Sequence, residues 1–249
     1  MTGIEIKDAS VSYFLRHKGE KNRSLERGSV GGQIIRRNSY LEIEALKNIT
    51  LSIKQGDRVG LIGMNGSGKS TLLKLCSGAL SVKSGSIDIE GRVSAQFSMG
   101  AGIKPTLSGR RNAELKCLYM GTPQRQIAER VEEVKALSQL GGYFELPVAT
   151  YSAGMRSRLV MSMVKLVRAD ILILDEWIGA ADGSVNRKVT RLQRDLIESA
   201  SLLICASHSE KLIRQWVNTV VWLDGGILRA VGPTDEVYPE YQKLLKAND

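Results

Sequence analysis

The stretch "RVGLIGMNGSGKSTLLKLC", Arg58 to Cys76, constrains this 249-residue chain more than any other. It opens with a short apolar run of the kind found in buried parallel strands. Gly63 to Ser70 then matches G-x-x-x-x-G-K-[ST] at every fixed position, and helical spacing follows. A glycine-rich turn between a strand and a helix is the context in which this motif holds phosphates. Gly63, Gly66 and Gly68, with Asn65 and Ser67 between them, let the backbone wrap closely with its N–H groups pointing inward. Lys69 is placed to reach β- and γ-phosphates, Ser70 to offer its hydroxyl to Mg²⁺, and Thr71 to lie beside the α-phosphate. The plainer alternative is a glycine-rich strand–helix turn with no ligand.

A second stretch supplies what such a cradle lacks. In "ILILDE" four apolar residues make a buried strand whose end delivers Asp175 and Glu176. Asp175 is expected to hold Mg²⁺ through water, and Glu176 to orient and polarise an attacking water. His208, in "CASHSE", follows another short apolar run. As a lone histidine it would pass for a turn residue at a helix start. In an open α/β sheet, however, ligands bind at the carboxyl ends of strands, and there it is expected to contact the γ-phosphate.

The rest of the chain reads as an α/β core interrupted by helices. Residues 3–14 alternate like a strand, "ALKNITLSI" is a second, and 85–97 carry more. From about 105 to 168 apolar residues fall three and four apart, as in "RQIAERVEEVKALSQL" and "RSRLVMSMVKLVRA". Alternation then resumes: a helix over 185–199, the strand "SLLICAS", a helix over 209–216 and the strand "TVVWLDGG".

Composition closes off other classes. Cys76, Cys117 and Cys205 are widely spaced, which predicts reduced thiols, with neither a disulfide nor a zinc framework. No apolar run approaches a membrane span, and "MTGIEIKDAS" lacks a signal-peptide core. The net charge is +9, and residues 16–37 hold seven Lys/Arg against two Glu, so +5 of it lies there. Such a cluster suits anionic lipid, nucleic acid or an acidic partner. A solvated surface loop is the other reading.

"YSAGMRSR", residues 151–158, puts a serine and a lone glycine before a helical run, with no carboxylate or histidine. The order of P-loop, helical segment, S-x-G turn, DE strand and histidine resembles the nucleotide-binding subunit of ABC transporters over nearly the whole chain. The resemblance implies a P-loop NTPase (RecA-like) α/β core, an N-terminal antiparallel β subdomain and an inserted α-helical subdomain. The chain would then be one ABC ATPase domain over 1–249. Its core would be 1–95 and 166–232, its helical subdomain 96–165 and its C-terminal helix and tail 233–249, with a basic insertion at 16–40. Ser152 and Gly154 stand at the serine and second glycine of the family's L-S-G-G-Q signature. The family's subunits pack head to tail, each signature closing on the γ-phosphate held by the other's P-loop. A homodimer with two shared ATP sites, using ATP and Mg²⁺, follows from the resemblance. The alternative for Ser152 is an ordinary N-cap. By the same resemblance Tyr13 stacks on adenine, Asp182 bridges the dimer, and Gln96 senses Mg²⁺ and the membrane partner. The spacing to "LSGRRN" leaves Ser98 as the alternative to Gln96.

"YSAGM" departs from the signature at Tyr151, Ala153 and Met155. With "MGAGIKPTLSGRRN", 99–112, it looks like the Wzt-type ATPases that export O-antigen and capsule, with Arg111 where glutamate is common. The implied partners are a separately encoded polytopic permease and a lipid-linked glycan. The implied location is peripheral, on the cytoplasmic face of the plasma membrane. The segment 16–37 would face anionic lipid, and no nucleic acid is expected. "PTDEVYPEYQKLLKAND" reads as a helix and tail, so the glycan-reading C-terminal domain of some members is expected to be absent. Three alternatives stay open. One is an ABC ATPase for teichoic acid, a lipid or a small solute. Another is a non-transport ABC ATPase on DNA or the ribosome. The third is a module that binds ATP without hydrolysing it, against which intact Lys69, Asp175, Glu176 and His208 argue.

Overall fold

A computed structural model describes residues 2–16, 33–36, 40–96, 102–167, 169–175, 187–207 and 209–248. The chain divides into two compact units. The first comprises Met1–Ala95, Asp170–Ile178 and Ser201–Asp249; the second comprises Gln96–Ala169 and Gly179–Ala200. In chain order the elements begin β1 (Gly3–Arg16), β2 (Gln33–Arg36), β3 (Tyr40–Lys54), β4 (Arg58–Ile62), α1 (Lys69–Cys76), β5 (Ser84–Glu90) and β6 (Val93–Gln96). Then come α2 (Gly109–Tyr119), α3 (Gln124–Ser138), α4 (Ala153–Ser162), β7 (Ile171–Asp175), α5 (Arg187–Ser199), β8 (Leu202–Ala206) and α6 (Glu210–Trp216). The last three are β9 (Thr219–Asp224), β10 (Ile227–Pro233) and α7 (Thr234–Asn248).

The first unit holds two sheets. One is antiparallel in the order β2-β3-β1-β5, and the other is six-stranded in the order β10-β9-β4-β8-β7-β6. Strand β4 runs parallel to β8 and β9, and β7 parallel to β8, while β10 pairs antiparallel with β9. The sequences of the parallel strands explain why. Ile171 to Leu174 and Leu202 to Ala206 are all buried, as strands covered on both faces must be. In β1, by contrast, Ile4 and Ile6 are buried while Glu5 and Lys7 are exposed, the alternation of a strand with one wet face.

The α/β architecture with an antiparallel sheet and a helical unit agrees with the sequence reading, and three details do not. Residues 33–36 lie in the segment read as a basic loop, yet they form β2, pairing Gln33–Arg36 against Glu44–Leu41. Four β-competent residues are hidden there among glycines and charges. Strand β10 has only a broken alternation, ending in Gly232 and Pro233; an edge strand tolerates the proline because one side of its backbone needs no partner. The continuous helix expected over 156–169 ends at Ser162 and tightens to a 3-10 turn over Met163–Leu166.

In the second unit α3 buries Ile127, Val131 and Val134 along one stripe. They meet Cys117, Phe144 and Leu159, each fully buried. No helix among the described residues is long and apolar enough to cross a membrane. All three cysteines are free and buried, and burial pushes the Cys76 and Cys205 thiols up to about 12. They are therefore protonated and unreactive at neutral pH.

A partly exposed ion network ties this unit together. Arg110 donates from Nε and Nη2 to the two oxygens of Glu145 at 2.8 and 2.9 Å. It also pairs with Glu132 at 2.8 Å, and Lys135 donates to Glu145 at 2.9 Å. The Arg110 guanidinium first, then the Lys135 ammonium, hold the Glu145 carboxyl down from 4.5 to about 2. A depressed carboxylate stabilises the fold above its unfolded value, and that contribution is lost as pH falls through the folded value. Solvent screening keeps it small. Between pH 4.5 and 2 the wild-type chain should therefore lose more stability than Glu145→Gln. Urea midpoints taken at stepped pH check this, and equal slopes would remove the role.

Candidate functional site

Strand register sets the frame. In β4, Leu61 lies opposite Ala206 of β8, and Ala206 lies opposite Asp175 of β7. Asp175 thus ends level with the last turn of β4, two strand spacings away, roughly 10 Å. The next residue after β4 is Gly63, where the phosphate loop begins. A carboxylate and a glycine loop therefore share the carboxyl edge of one sheet, the place where open α/β sheets bind ligands.

The loop is tightly packed at its root and open at its mouth. A Cβ on Gly63 would lie 2.2 Å from the Leu223 carbonyl and 2.5 Å from Ser67 Oγ, so no larger residue fits. Ser67 Oγ is buried with no hydrogen-bond partner among the described residues. Met64, Asn65, Gly66 and Ser70 are exposed. Lys69 folds along the loop, its Nζ donating to the Gly63 and Met64 carbonyls at 2.7 and 3.0 Å. Helix α1 starts at Gly68, at φ +105°, with no side chain capping it and no acidic residue in its first turn. By contrast, Ser108 caps α2 through the Arg111 amide. The first-turn amides of α1, with the positive end of its dipole, form a site for an anion. Tyr13 on β1 reaches this turn, its hydroxyl 3.4 Å from Thr71 Oγ1.

The hairpin between β9 and β10 braces the loop, a part the sequence reading missed. The Gly226 amide donates to the Ser67 carbonyl at 3.1 Å, and the Gly226 carbonyl accepts from the Lys47 amide at 2.9 Å. Gly226 sits at φ +86°, and a Cβ there would lie 2.6 Å from the Ala45 carbonyl. The available signal was "DGG" after an apolar run, a turn whose second glycine needed a reason.

The turn at 151–154 belongs to the second unit. Tyr151 is buried, and its hydroxyl donates to the Tyr143 carbonyl at 2.6 Å. Gly109 makes room for it, since a Cβ there would lie 2.6 Å from that phenol oxygen. Tyr151 therefore anchors the turn through a polar contact that leucine lacks. Ser152 caps α4, accepting from the Met155 amide at 3.2 Å. Its hydroxyl is exposed, and the cap leaves its O–H free to donate elsewhere. Gly154 is exposed too, and a Cβ there meets no described atom within 4 Å.

Gln96 closes β6. Glu176, Asp182, His208 and the alternative Ser98 lie outside the described residues, as do residues 17–32 and 37–39 of the basic segment. Among the described residues no three His, Cys, Asp or Glu side chains cluster to hold a metal. The Ser70 hydroxyl and Asp175 carboxylate are hard oxygen donors of the kind Mg²⁺ takes when phosphates and water complete its shell. The donor set fits that ion and no all-protein cage.

The family profile described as ABC transporter matches residues 46–179. An O-antigen export system ATP-binding protein from Yersinia enterocolitica is 36% identical, over 92% of this chain and 97% of its own. A teichoic acids export ATP-binding protein from Lactococcus lactis is 35% identical over 81% of this chain, which spans only 43% of that protein's length. A dimeric ATP-binding cassette solved in a post-hydrolysis state with ADP and Pi superposes with a TM-score of 0.66 at 18% identity. It covers 92% of this chain and 98% of that one.

Two glycine substitutions should behave oppositely. Gly226→Ala forces a Cβ against the Ala45 carbonyl and should cost about 1–3 kcal/mol. Gly154→Ala, on a helix with open space around it, should leave stability unchanged or raise it by up to about 1 kcal/mol. Denaturant unfolding of the purified chain tests both. Equal losses would mean that Gly154 is needed inside the chain.

Proposed function

This chain belongs to the ABC transporter family, and from that premise we propose that it is the ATP-hydrolysing subunit powering export of a lipid-linked polysaccharide. The observation that carries the cargo class is the match to an O-antigen export protein along 97% of that protein's length. The family supports the ATPase, and the fold supports a nucleotide at the carboxyl edge of the six-stranded sheet.

In this reading the amides of Gly66 to Ser70 and the α1 N-terminus bind the phosphates, and Lys69 leaves its carbonyl partners to grip the β- and γ-phosphates. Tyr13, beside Thr71, stacks on adenine. Ser70 and Asp175, with Gln96, hold Mg²⁺, which when bound neutralises charge on the phosphates. Glu176 orients the attacking water, and His208 steadies the γ-phosphate. Ser152 and Gly154 serve the partner copy of a homodimer. An exposed hydroxyl and a glycine with nothing near it suit a surface that another chain closes upon. Asp182 bridges the two copies. A separately encoded permease provides the path through the membrane, so the chain sits peripherally at its cytoplasmic face. Teichoic acid is the second cargo reading, favoured by the 35% identity to the Lactococcus protein.

Cells whose only copy carries Glu176→Gln should accumulate long polyprenol-linked glycan inside and show none at the surface. The sugars in that pool tell O-antigen from teichoic acid. Unchanged glycans, with the variant expressed and inactive as an ATPase, would remove the export reading. The basic segment is proposed to meet anionic lipid headgroups. Neutralising Arg16, Lys18, Lys21 and Arg23 should then weaken binding to anionic vesicles at low salt, and unchanged binding with unchanged export would exclude it.

A further inference from the structure

Strand β1 outruns one of its neighbours. Strand β5 pairs with it only as far as Ser10. From Val11 to Arg16 it has β3 on one side and no partner strand among the described residues on the other. Strand β2 lies on the far side of β3. The end of this three-stranded arm exposes three large apolar side chains, Phe14 at 57%, Leu15 at 53% and Ile34 at 44%. Register sorts them onto two faces. Phe14 shares one face with Tyr40, whose ring it meets edge-on at 5.6 Å. Leu15, opposite Leu41, and Ile34, opposite Ile43, share the other.

An antiparallel sheet that packs on a core commonly buries one face and wets the other. Here both faces are apolar at the same end, and exposed apolar clusters mark contact surfaces. A folded partner lying on one face would leave the other in water. A lipid layer closes around an inserted tip from both sides. Charge points the same way. Arg16 is exposed at the last residue of β1, and residues 16–37 carry seven Lys/Arg against two Glu. Glu42, opposite Phe14, is buried and ion-paired with Lys83, so it sets no bare carboxylate beside the tip. Apolar side chains next to a cluster of cations hold a segment in the headgroup region of an anionic bilayer.

We propose that the end of the β1–β3–β2 arm inserts Phe14, Leu15 and Ile34 into the headgroup and upper acyl region of an anionic bilayer. The cations of the basic segment then lie among the headgroups. The proposal rests on the reading that this segment meets anionic lipid, and adds apolar insertion to it.

Sedimentation of the purified full chain with vesicles of equal parts phosphatidylglycerol and phosphatidylcholine reads the contact. Changing Phe14→Ser, Leu15→Ser and Ile34→Ser together should lower the partition coefficient about tenfold or more. Leu15→Cys gives a second reading in a chain that keeps the other two side chains. The three native thiols are buried, so a maleimide fluorophore labels this position. Its emission should be quenched by lipids carrying a nitroxide near the top of the acyl chain. Unchanged partition in the serine variant, or a label quenched only from water, would overturn insertion and leave a charge contact that salt removes. A wild-type chain that binds no vesicles even at low salt would overturn the lipid reading as well, so the two failures are distinguishable. Dimerisation of the wild type that the serine variant lacks, without vesicle binding, would assign the tip to a second copy and overturn the proposal.

Discussion

The site depends on a helix that begins without a cap. Helices α2 and α4 each start on a serine whose side chain accepts a first-turn amide, but α1 starts on Gly68 and has no such acceptor. Uncapped first-turn amides are a standing cost, commonly about 1 kcal/mol for the lost cap alone. Helices α3 and α6 also begin without a side-chain cap, and at α1 the amides left open are those proposed to meet the phosphates. Around it everything is support. The strand β4 is buried between two neighbours, Lys69 bridges the loop's carbonyls, and the β9–β10 turn ties down Ser67.

The glycines divide by what makes them necessary. Gly63, Gly109 and Gly226 are each explained by an atom of the same chain standing where a Cβ would go. Gly154 is not, although it lies in the turn that the family resemblance singles out. A small residue with space around it is compatible with an approach from outside the chain. The open space leaves room for the partner proposed to close on this turn. Tyr151 makes the complementary point. It replaces the family's usual leucine, and its phenol pins the turn to the Tyr143 carbonyl, so the departure is compensated from within.

What was legible in the sequence was local. The run "ILIL", the fixed positions of "GMNGSGKS" and the three-four spacing of α3 each carry their meaning within a dozen residues. Strands β2 and β10 were hidden because their partners, and not their own patterns, stabilise them. The change to a 3-10 turn after Ser162 left no mark on the apolar spacing. Gly226 was missed for a stronger reason. Its role exists only once a distant segment has met Ser67, and no spacing rule relates residues so far apart. The motif named the atoms that face the phosphates, and said nothing of the atoms behind them.

The topology also sets an order in time. Strand β4 and the phosphate loop are made well before β8 and β9, the two strands that flank β4 in the sheet. The turn that braces Ser67 is made later still. On the ribosome the loop therefore emerges and waits, with its flanking strands and brace unsynthesised, until the segments through β10 have appeared. Long-range pairing of this kind is slow to form and leaves apolar strands uncovered meanwhile. The nascent chain thus carries its most recognisable motif well before the strands that hold it in place, and β4 is the segment a chaperone would need to shield.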